Sequence, residues 1–392
     1  MRNFKYFTPT KVIFGRETET QTGELVKELG CRKALIHYGG GSVIRSGLLE
    51  RVKMSLDGQG IAHVELGGAV PNPRLSLVYE GIELAKREQV DFVLAVGGGS
   101  AIDSAKAIGY GVVNEGDVWE LYDRKRQATG CLPIGVILTI AATGSEMSDS
   151  SVITKEDGWV KRGYSSDFGR PVFAIMNPEL TMTLPDYQTA CGCTDILMHT
   201  MERYFTSGGN MEITDSISEA LMRTVITNSI ILRDEPDNYD ARAEVMWAGS
   251  LSHNGLTGCG TDGGDFATHM LEHEIGGLYD VAHGAGLAAV WGSWARYVYK
   301  GCLHRFHRFA VNVMAVPDDG APEEVALKGI EALEEFFRSI HMPTSLSEMN
   351  LDPTEEEMKL MAHKCSVAAG GAKGSAKVLH EEDMLAIYEM AR

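Results

Sequence analysis

Short apolar runs and longer amphipathic stretches alternate along the first half of the chain. The short runs are nearly all apolar, as strands buried on both faces of a parallel sheet are. Strands are predicted at residues 34–38, 62–66, 92–96, 134–138 and 172–175. Helices are predicted between them at residues 17–29, 45–57, 74–88 and 100–112. This alternation indicates βαβ units and a Rossmann-like parallel sheet. Two further β-like runs, 4–7 and 11–14, predict a hairpin at the edge of this domain.

The pattern changes after Leu184, where helical periods replace the strand signals up to the C-terminus. Helices are predicted at residues 186–205, 212–232, 238–253, 264–275, 284–299, 322–340 and 380–391. The glycine pair at 276–277 is expected to end the fourth of these helices. We therefore predict an α/β domain over residues 1–184 and an all-α domain over residues 185–392. A chain of 392 residues is long enough for each domain to bury its own core.

Composition and charge exclude several classes of protein. The apolar fraction of 44% and the charged fraction of 23% are ordinary for a soluble enzyme. A net charge of −18 disfavours nucleic acid and anionic membranes as partners. It leaves room for an anionic cofactor, because backbone N–H groups can hold phosphates. Seven scattered cysteines predict reduced thiols in a cytoplasmic protein. The sequence contains no run of 18 apolar residues, so no membrane-spanning helix is predicted.

The helical half carries a set of residues suited to a metal. Asp195 and His199 are four residues apart, so on a helix they share one face, and His269 and His273 repeat this spacing. His283 follows between an alanine and a glycine. One carboxylate with two or three imidazoles suits a divalent transition metal such as Fe(II) or Zn(II), with an open position for a substrate oxygen. Buried helix faces without metal are the alternative, but buried Asp and His are costly without partners.

Cys191 and Cys193 lie close to this set in the sequence and remain alternative ligands. They form a C-x-C spacing, and no second pair completes a zinc knuckle.

The α/β half carries glycine-rich turns after predicted strands. The stretch 92–100 is an apolar strand that runs into Gly97-Gly98-Gly99-Ser100, where a helix begins. Glycines let backbone amides approach a pyrophosphate, and the helix N-terminus adds partial positive charge. Ser100 and Asp103 have the spacing of a capping box. The G-x-G-x-x-G fingerprint of ordinary Rossmann dehydrogenases is absent, and a simple tight turn is the alternative interpretation.

With these motifs, the chain resembles the iron-containing (group III) alcohol dehydrogenases over almost its whole length, in particular the NADP-dependent butanol dehydrogenase and aldehyde reductase branch. The resemblance implies a dehydroquinate synthase-like architecture, with a dinucleotide-binding α/β domain and a metal-binding helical domain. It implies that one divalent metal is held by Asp195, His199, His269 and His283. It places His273 near the substrate, in proton relay or substrate positioning. It also places Asp103 near the nicotinamide, although helix capping explains Asp103 equally well.

The resemblance also implies a set of contacts to the cofactor. They are Gly39, Gly40, Ser42, Gly98, Gly99, Ser100, Thr139, Thr143, Ser145 and Lys161. Gly40 stands where NAD-preferring relatives place an acidic residue, so we expect NADP(H), whose 2′-phosphate a carboxylate would repel. Residues 139–146 resemble a T-x-P-A-T-G-S-E segment, with Ala141 in place of the proline. For Lys161 the alternative is a solvated surface lysine.

The expected function is a metal-dependent NADP(H) alcohol dehydrogenase. It would reduce small to medium-chain aldehydes in the cleft between the two domains and, like its relatives, form a homodimer. The alternatives are a glycerol dehydrogenase-like or dehydroquinate synthase-like enzyme, a non-catalytic nucleotide- or metal-binding protein, and a metal hydrolase. A hydrolase would not need the glycine-rich turns at 39–42 and 97–100.

Overall fold

The computed structural model describes residues 1–207 and 209–392. The chain divides into two compact units. One unit comprises Thr8–Thr183, and the other comprises Leu184–Arg392 together with Met1–Phe7. The backbone N–H of Arg2 donates to the carbonyl of Gly260, which joins the start of the chain to the helical unit. The first seven residues therefore do not belong to the α/β unit, where the sequence analysis placed them.

The α/β unit contains a six-stranded parallel sheet, and all of residues 8–183 are described. The strands of this unit are β1 Lys11–Phe14, β2 Lys33–Tyr38, β3 Ala62–Leu66, β4 Phe92–Gly97, β5 Ile134–Leu138, β6 Ser150–Lys155, β7 Val160–Ser165 and β8 Phe173–Met176. The sheet has the order β1-β8-β5-β4-β2-β3, and every pairing in it is parallel. Every residue of β4 and β5 is buried, which explains why these two strands read as continuous apolar runs.

Helices connect the strands of the sheet. They are α1 Thr22–Glu28, α2 Ser42–Arg45, α3 Leu48–Gly58, α4 Leu75–Arg87, α5 Gly99–Val113 and α6 Trp119–Tyr122. One apolar cluster joins Val26 of α1 and Val52 of α3 to Leu94 and Val96 of β4. Burying each such side chain contributes roughly 1.5–3 kcal/mol. This packing holds α1 and α3 against the sheet.

Two β features differ from the sequence analysis. Residues 4–7 form no strand, and β1 pairs in parallel with β8 instead of forming a hairpin. Conversely, β6 and β7 form an antiparallel hairpin that the analysis missed. Both strands mix polar and apolar residues, so their runs lack the apolar character used to find the others. The Asp157-Gly158 pair between them, with Gly158 at φ +80°, was the available turn signal.

The second unit is helical. Its helices are α7 Asp186–Tyr204, α8 Glu212–Asp234, α9 Tyr239–His253, α10 Ala267–Tyr279, α11 His283–Val298, α12 Leu303–Asn312, α13 Pro322–Ser339, α14 Glu355–Ala369 and α15 Glu381–Ala391. The pair Gly276-Gly277 lies inside α10 and is buried, so the prediction that it ends this helix was wrong. The helix stops at Asp280, which adopts the left-handed conformation (φ 52°). Across the described part of the chain, no helix has both the length and the apolar character to cross a membrane.

Candidate active site

Asp195 and His199 lie one turn apart on α7 and are almost fully buried. The Nδ1 atom of His199 is 3.2 Å from Oδ1 of Asp195. His269, on the first turn of α10, brings its Nε2 atom to 3.5 Å from the same oxygen. Ligand atoms of these three residues all lie within 4.8 Å of one another. The structure therefore gathers three of the four predicted metal ligands at one point.

His283, the fourth predicted ligand, is the first residue of α11. Its Nε2 atom lies 3.8 Å from Oδ1 of Asp195, so it borders the group of three without belonging to it. A second set of possible ligand atoms comprises Glu272, His273 and His283. Within this set Glu272 hydrogen-bonds to Nδ1 of His283. The contact between Glu272 and His283 is a hydrogen bond to Nδ1. It leaves the other ring nitrogen, Nε2, directed at Asp195.

The three central residues fit a divalent cation. Oδ1 of Asp195, Nδ1 of His199 and Nε2 of His269 are buried and have no hydrogen-bond partner among the described residues. Leaving such atoms unpaired costs about 1–3 kcal/mol each. Four ligands at 2.0–2.1 Å from a tetrahedral metal would be roughly 3.4 Å apart. The observed separations of 3.2, 3.5 and 3.8 Å are close to this value.

The electrostatics of the two central imidazoles differ. Burial, reinforced by His253 and His269, holds the pKa of His199 well below its usual range, so this ring is neutral. Burial also lowers the pKa of His269, but the carboxylates of Glu202 and Asp195 outweigh it and raise this pKa to about 10. A neutral imidazole is the form that binds a metal, and a bound cation would replace the proton of His269.

Two glutamates that hydrogen-bond to His269 and His283 were not predicted from the sequence. Glu202 hydrogen-bonds to Nδ1 of His269, and Glu272 hydrogen-bonds to Nδ1 of His283. The available signal was the spacing His-x-x-Glu, which occurs at 199–202 and again at 269–272. His253 of α9 was also missed, and its ring centroid lies 4.0 Å from that of His199.

Two glycines allow α11 to approach the site. A Cβ atom on Gly284 would lie 2.2 Å from the carbonyl oxygen of Cys191 on α7. A Cβ atom on Gly286 would lie 2.9 Å from Cγ of Glu272. Both separations are shorter than non-bonded atoms permit, so the glycines after His283 are needed for close packing. They set the distance between His283 and the ligands on α7.

The two cysteines and the second histidine of α10 take other positions. Cys191 Sγ contacts Met342 Sδ at 3.8 Å, and burial raises the pKa of its thiol to about 12. Neither Cys191 nor Cys193 belongs to a group of possible ligands within the described chain. The ring of His273 lies 5.8 Å from that of His283 and 6.5 Å from that of His269, at the border of the cluster.

The predicted cofactor residues of the α/β unit follow three adjacent parallel strands. Gly39, Gly40 and Ser42 follow β2, the turn 97–100 follows β4, and Thr139 follows β5. The carboxyl ends of neighbouring parallel strands lie at one edge of the sheet, which is where α/β proteins bind their ligands. Gly40 and Ser42 are exposed, and a Cβ atom on Gly40 would meet nothing within 4 Å.

The turn after β4 and the segment after β5 pack on each other. The backbone N–H of Thr139 donates to the carbonyl of Gly97 at 3.0 Å. A Cβ atom on Gly98 would lie 2.9 Å from Cβ of Ile140, and one on Gly99 would lie 2.4 Å from Cγ2 of Thr143. These glycines are therefore required for contact between the two segments, in addition to any approach of a phosphate.

Asp103 does not act as a helix cap. Helix α5 begins at Gly99, and no side chain caps it. The Asp103 carboxylate instead accepts hydrogen bonds from the Ser145 hydroxyl at 2.6 Å and from the Val152 backbone N–H at 2.8 Å. The prediction of a capping box was wrong because Gly98 is the N-cap residue, so Ser100 already lies inside the first turn of the helix. Asp103 thus ties the segment after β5 to α5.

Lys106, one turn further along α5, anchors the same segment. Its Nζ atom donates to the carbonyls of Ser145 and Ser150 at 2.7 Å and to that of Ser148 at 3.0 Å. Burial lowers the pKa of Lys106 to about 8, against the opposing effect of Asp103. This role was not predicted from the sequence, since a lysine on a helix is usually exposed.

Lys161 lies on β7 and is 5% exposed. The alternative interpretation, a solvated surface lysine, was therefore wrong. Burial of a lysine requires partners, and Lys161 has them within the structure.

Comparison with known proteins assigns the chain to a family. The model of the iron-containing alcohol dehydrogenases matches residues 9–178, and that of the C-terminal part of the Fe-containing alcohol dehydrogenase family matches residues 189–392. The chain belongs to the iron-containing alcohol dehydrogenase family. NADH-dependent butanol dehydrogenase A of Clostridium acetobutylicum is 40% identical over 390 residues, which cover 99% of each chain. The NADPH-dependent aldehyde reductase YqhD of Escherichia coli is 34% identical and is covered, like this chain, to 90%.

A solved structure extends this comparison to the fold. The crystal structure of NADH-dependent butanol dehydrogenase A from Thermotoga maritima matches with a TM-score of 0.96 at 40% identity, covering 100% of this chain and 99% of that one. The predicted family and the α/β-then-helical fold class are confirmed. The protein is an NAD(P)-dependent oxidoreductase of the alcohol dehydrogenase type.

Replacement of His269 by alanine tests the candidate metal centre. We expect His269→Ala to lose bound metal, because it removes one of three converging ligand atoms. Elemental analysis after reconstitution and desalting measures this. His363→Ala, on an exposed histidine of the same unit, should retain the metal. Retention of the wild-type metal content by His269→Ala would exclude this histidine as a ligand.

Replacement of Lys106 by methionine tests the anchor of the segment 145–150. Two buried carbonyls and one half-buried carbonyl would lose their donor, so we expect the free energy of unfolding to fall by about 2–4 kcal/mol. Urea unfolding measures this, with Lys53→Met as control, since Lys53 forms ion pairs with the exposed glutamates Glu50 and Glu65. Equal stability of the two variants would contradict the anchoring role.

Proposed function

We propose that the protein is a metal-dependent NADP(H) alcohol dehydrogenase that acts mainly as a reductase of small to medium-chain aldehydes. The observation that carries this proposal is the convergence of three buried, unpartnered ligand atoms from Asp195, His199 and His269. The substrate class is supported by the relatives, whose names are butanol dehydrogenase and aldehyde reductase.

In this proposal Asp195, His199, His269 and His283 hold one divalent ion, Fe(II) or Zn(II). Nitrogen and carboxylate oxygen donors suit both metals. The ion supplies Lewis acidity toward a carbonyl oxygen, while the nicotinamide supplies the hydride. His273, at the border of the imidazole cluster, is proposed to position the substrate or to relay a proton.

The α/β unit is proposed to hold the dinucleotide. The turn of Gly39, Gly40 and Ser42, in which Gly40 and Ser42 are exposed, would receive the adenosine ribose and its 2′-phosphate. The pyrophosphate would lie at the N-terminus of α5, against Gly98, Gly99 and Ser100. The segment with Thr139, Thr143 and Ser145, and the buried Lys161, would complete the contacts to the cofactor.

Asp103 is proposed to position the segment that contains Thr139, Thr143 and Ser145. Both of its carboxylate oxygens accept hydrogen bonds from the protein, and one of the donors is the predicted cofactor contact Ser145. These contacts support a positioning role for Asp103 more than a direct role in the reaction.

NADP(H) is proposed over NAD(H) because no carboxylate occupies position 40 and the turn is open there. Arg45, the last residue of α2, is exposed, so its guanidinium is available to a phosphate bound at this turn. The names of the relatives include both cofactors: butanol dehydrogenase A is named as NADH-dependent, and YqhD is named as NADPH-dependent. The choice therefore rests on this turn.

The proposed function is tested by elemental analysis of the purified protein together with an aldehyde assay. With butanal as substrate, we expect the absorbance of NADPH to fall in the metal-loaded protein and to stay constant after treatment with a chelator. Restoring Fe(II) or Zn(II) should restore turnover. Equal turnover with and without metal would refute the proposed role of the ion.

Introduction of a carboxylate at position 40 tests the cofactor assignment. We expect Gly40→Asp to raise the KM for NADPH by about tenfold or more through repulsion of the 2′-phosphate, and to favour NADH through the ribose hydroxyls. A side chain fits there without a clash. Gly40→Asn is the matched control, because it adds the same volume without charge. If the two variants lose NADPH equally, or if neither changes, Gly40 does not lie at the 2′-phosphate.

A further inference from the structure

Two fully buried carboxylates stand behind the candidate metal ligands. Glu202 and Glu272 are both 0% exposed. Glu202 hydrogen-bonds to Nδ1 of His269, and Glu272 hydrogen-bonds to Nδ1 of His283. In both rings the other nitrogen, Nε2, faces Oδ1 of Asp195, at 3.5 and 3.8 Å. An Nδ1 that donates its proton to a carboxylate leaves Nε2 with the free lone pair.

The two pairs repeat one arrangement along the chain. Residues three apart on a helix share a face, and α7 and α10 each carry a histidine followed three residues later by a glutamate. On α7 this pair is His199 and Glu202, and on α10 it is His269 and Glu272. Each glutamate reaches the imidazole of the next helix: Glu202 reaches α10, and Glu272 reaches the start of α11. α7 thus supplies two candidate ligands and α10 one, and each of these helices also supplies the glutamate that contacts the imidazole of the next helix.

We propose that Glu202 and Glu272 are positioning residues that fix the tautomer and orientation of His269 and His283, so that both rings present Nε2 to one cation. The inference rests on the proposed metal site. Carboxylates that accept from the second nitrogen of a ligating imidazole orient the ring and make it a stronger donor. Because two separate helices use this arrangement, the set of ligands is held in place before a metal arrives.

The packing restricts both carboxylates. Oε1 of Glu202 accepts the backbone N–H of His269 at 3.1 Å, and the carbonyl of Glu202 accepts the N–H of Asp265 at 2.7 Å. Glu202 therefore fixes the start of α10 as well as one of its rings. Glu272 lies against Gly286 of α11, where any Cβ atom would be 2.9 Å from its Cγ. Glu202 is therefore held by the backbone of α10 as well as by its imidazole, and Glu272 packs closely against α11.

The test compares Glu202→Gln, Glu202→Ala, Glu272→Gln and Glu272→Ala in the full-length protein. The metal is removed with a chelator, and the affinity for Zn(II) is measured by competition with a chromophoric chelator. We expect the alanine variants to bind Zn(II) roughly 10–100-fold more weakly. The glutamine variants should lie between alanine and wild type, since an amide oxygen still accepts the Nδ1 proton. The visible spectrum of the Co(II)-loaded protein should change in the alanine variants and largely recover in the glutamine variants.

The matched control is Glu274→Gln. Glu274 lies on the same helix as Glu272, is 2% exposed, and forms an ion pair with Lys364 at 3.5 Å. Its variant should keep the wild-type affinity for Zn(II) and the wild-type Co(II) spectrum. If the alanine variants do not fold, the proposal is tested by comparing the Zn(II) affinities of Glu202→Gln and Glu272→Gln with that of Glu274→Gln.

Two failures are distinguishable. If Glu202→Gln and Glu272→Gln bind Zn(II) as tightly as Glu274→Gln, the positioning role is wrong while the metal site stands. If the wild-type protein takes up no metal at all, the proposed function fails first and this inference falls with it.

Discussion

The burial of Asp195 beside two imidazoles is the constraint on which the helical unit depends. A carboxylate oxygen and two ring nitrogens point at one another in the protein interior, with no hydrogen-bond partner among the described residues. Such an arrangement is costly unless something pairs these atoms. A divalent cation would pair all of them at once, and the distances of the two ring nitrogens from Oδ1 of Asp195 are close to those in a tetrahedral set of ligands. The close packing of α11 on α7 and the buried glutamates behind the rings are consistent with the same requirement.

The α/β unit depends on a different constraint, which is the placement of several turns at one edge of a sheet. The apolar strands β2, β4 and β5 lie side by side, so the turns after them are neighbours. Lys106 and Asp103, both on α5, then hold the segment after β5 through hydrogen bonds to Ser145 and its neighbours. A buried ammonium and a buried carboxylate thus give a polar loop a fixed position, which an apolar core alone could not do.

The sequence predicted those parts of the fold that depend on apolar periodicity. The strands β2 to β5 and most helices of the second unit follow directly from buried runs and amphipathic patterns. The hairpin of β6 and β7 escaped because its strands are half polar, and residues 4–7 were misassigned because their aromatic content mimics a strand. Helix α10 passes its glycine pair because both glycines are buried against neighbours.

For the site, the sequence predicted the ligand candidates and missed their supports. Asp195, His199 and His269 stand out because their residue types are rare in buried helix faces. Glu202, Glu272 and Lys106 do not stand out, because a charged residue in a helix is ordinarily exposed, and these three are buried only through the tertiary fold. The partners of Asp103 lie more than 40 residues away in the chain, beyond the reach of local capping rules.

The most direct test of the account is X-ray diffraction from crystals of the reconstituted protein, recorded on both sides of the metal absorption edge. The account predicts one anomalous peak about 2.0–2.2 Å from Oδ1 of Asp195, Nδ1 of His199 and Nε2 of His269. A peak elsewhere, or no anomalous peak at this position in the reconstituted protein, would contradict it.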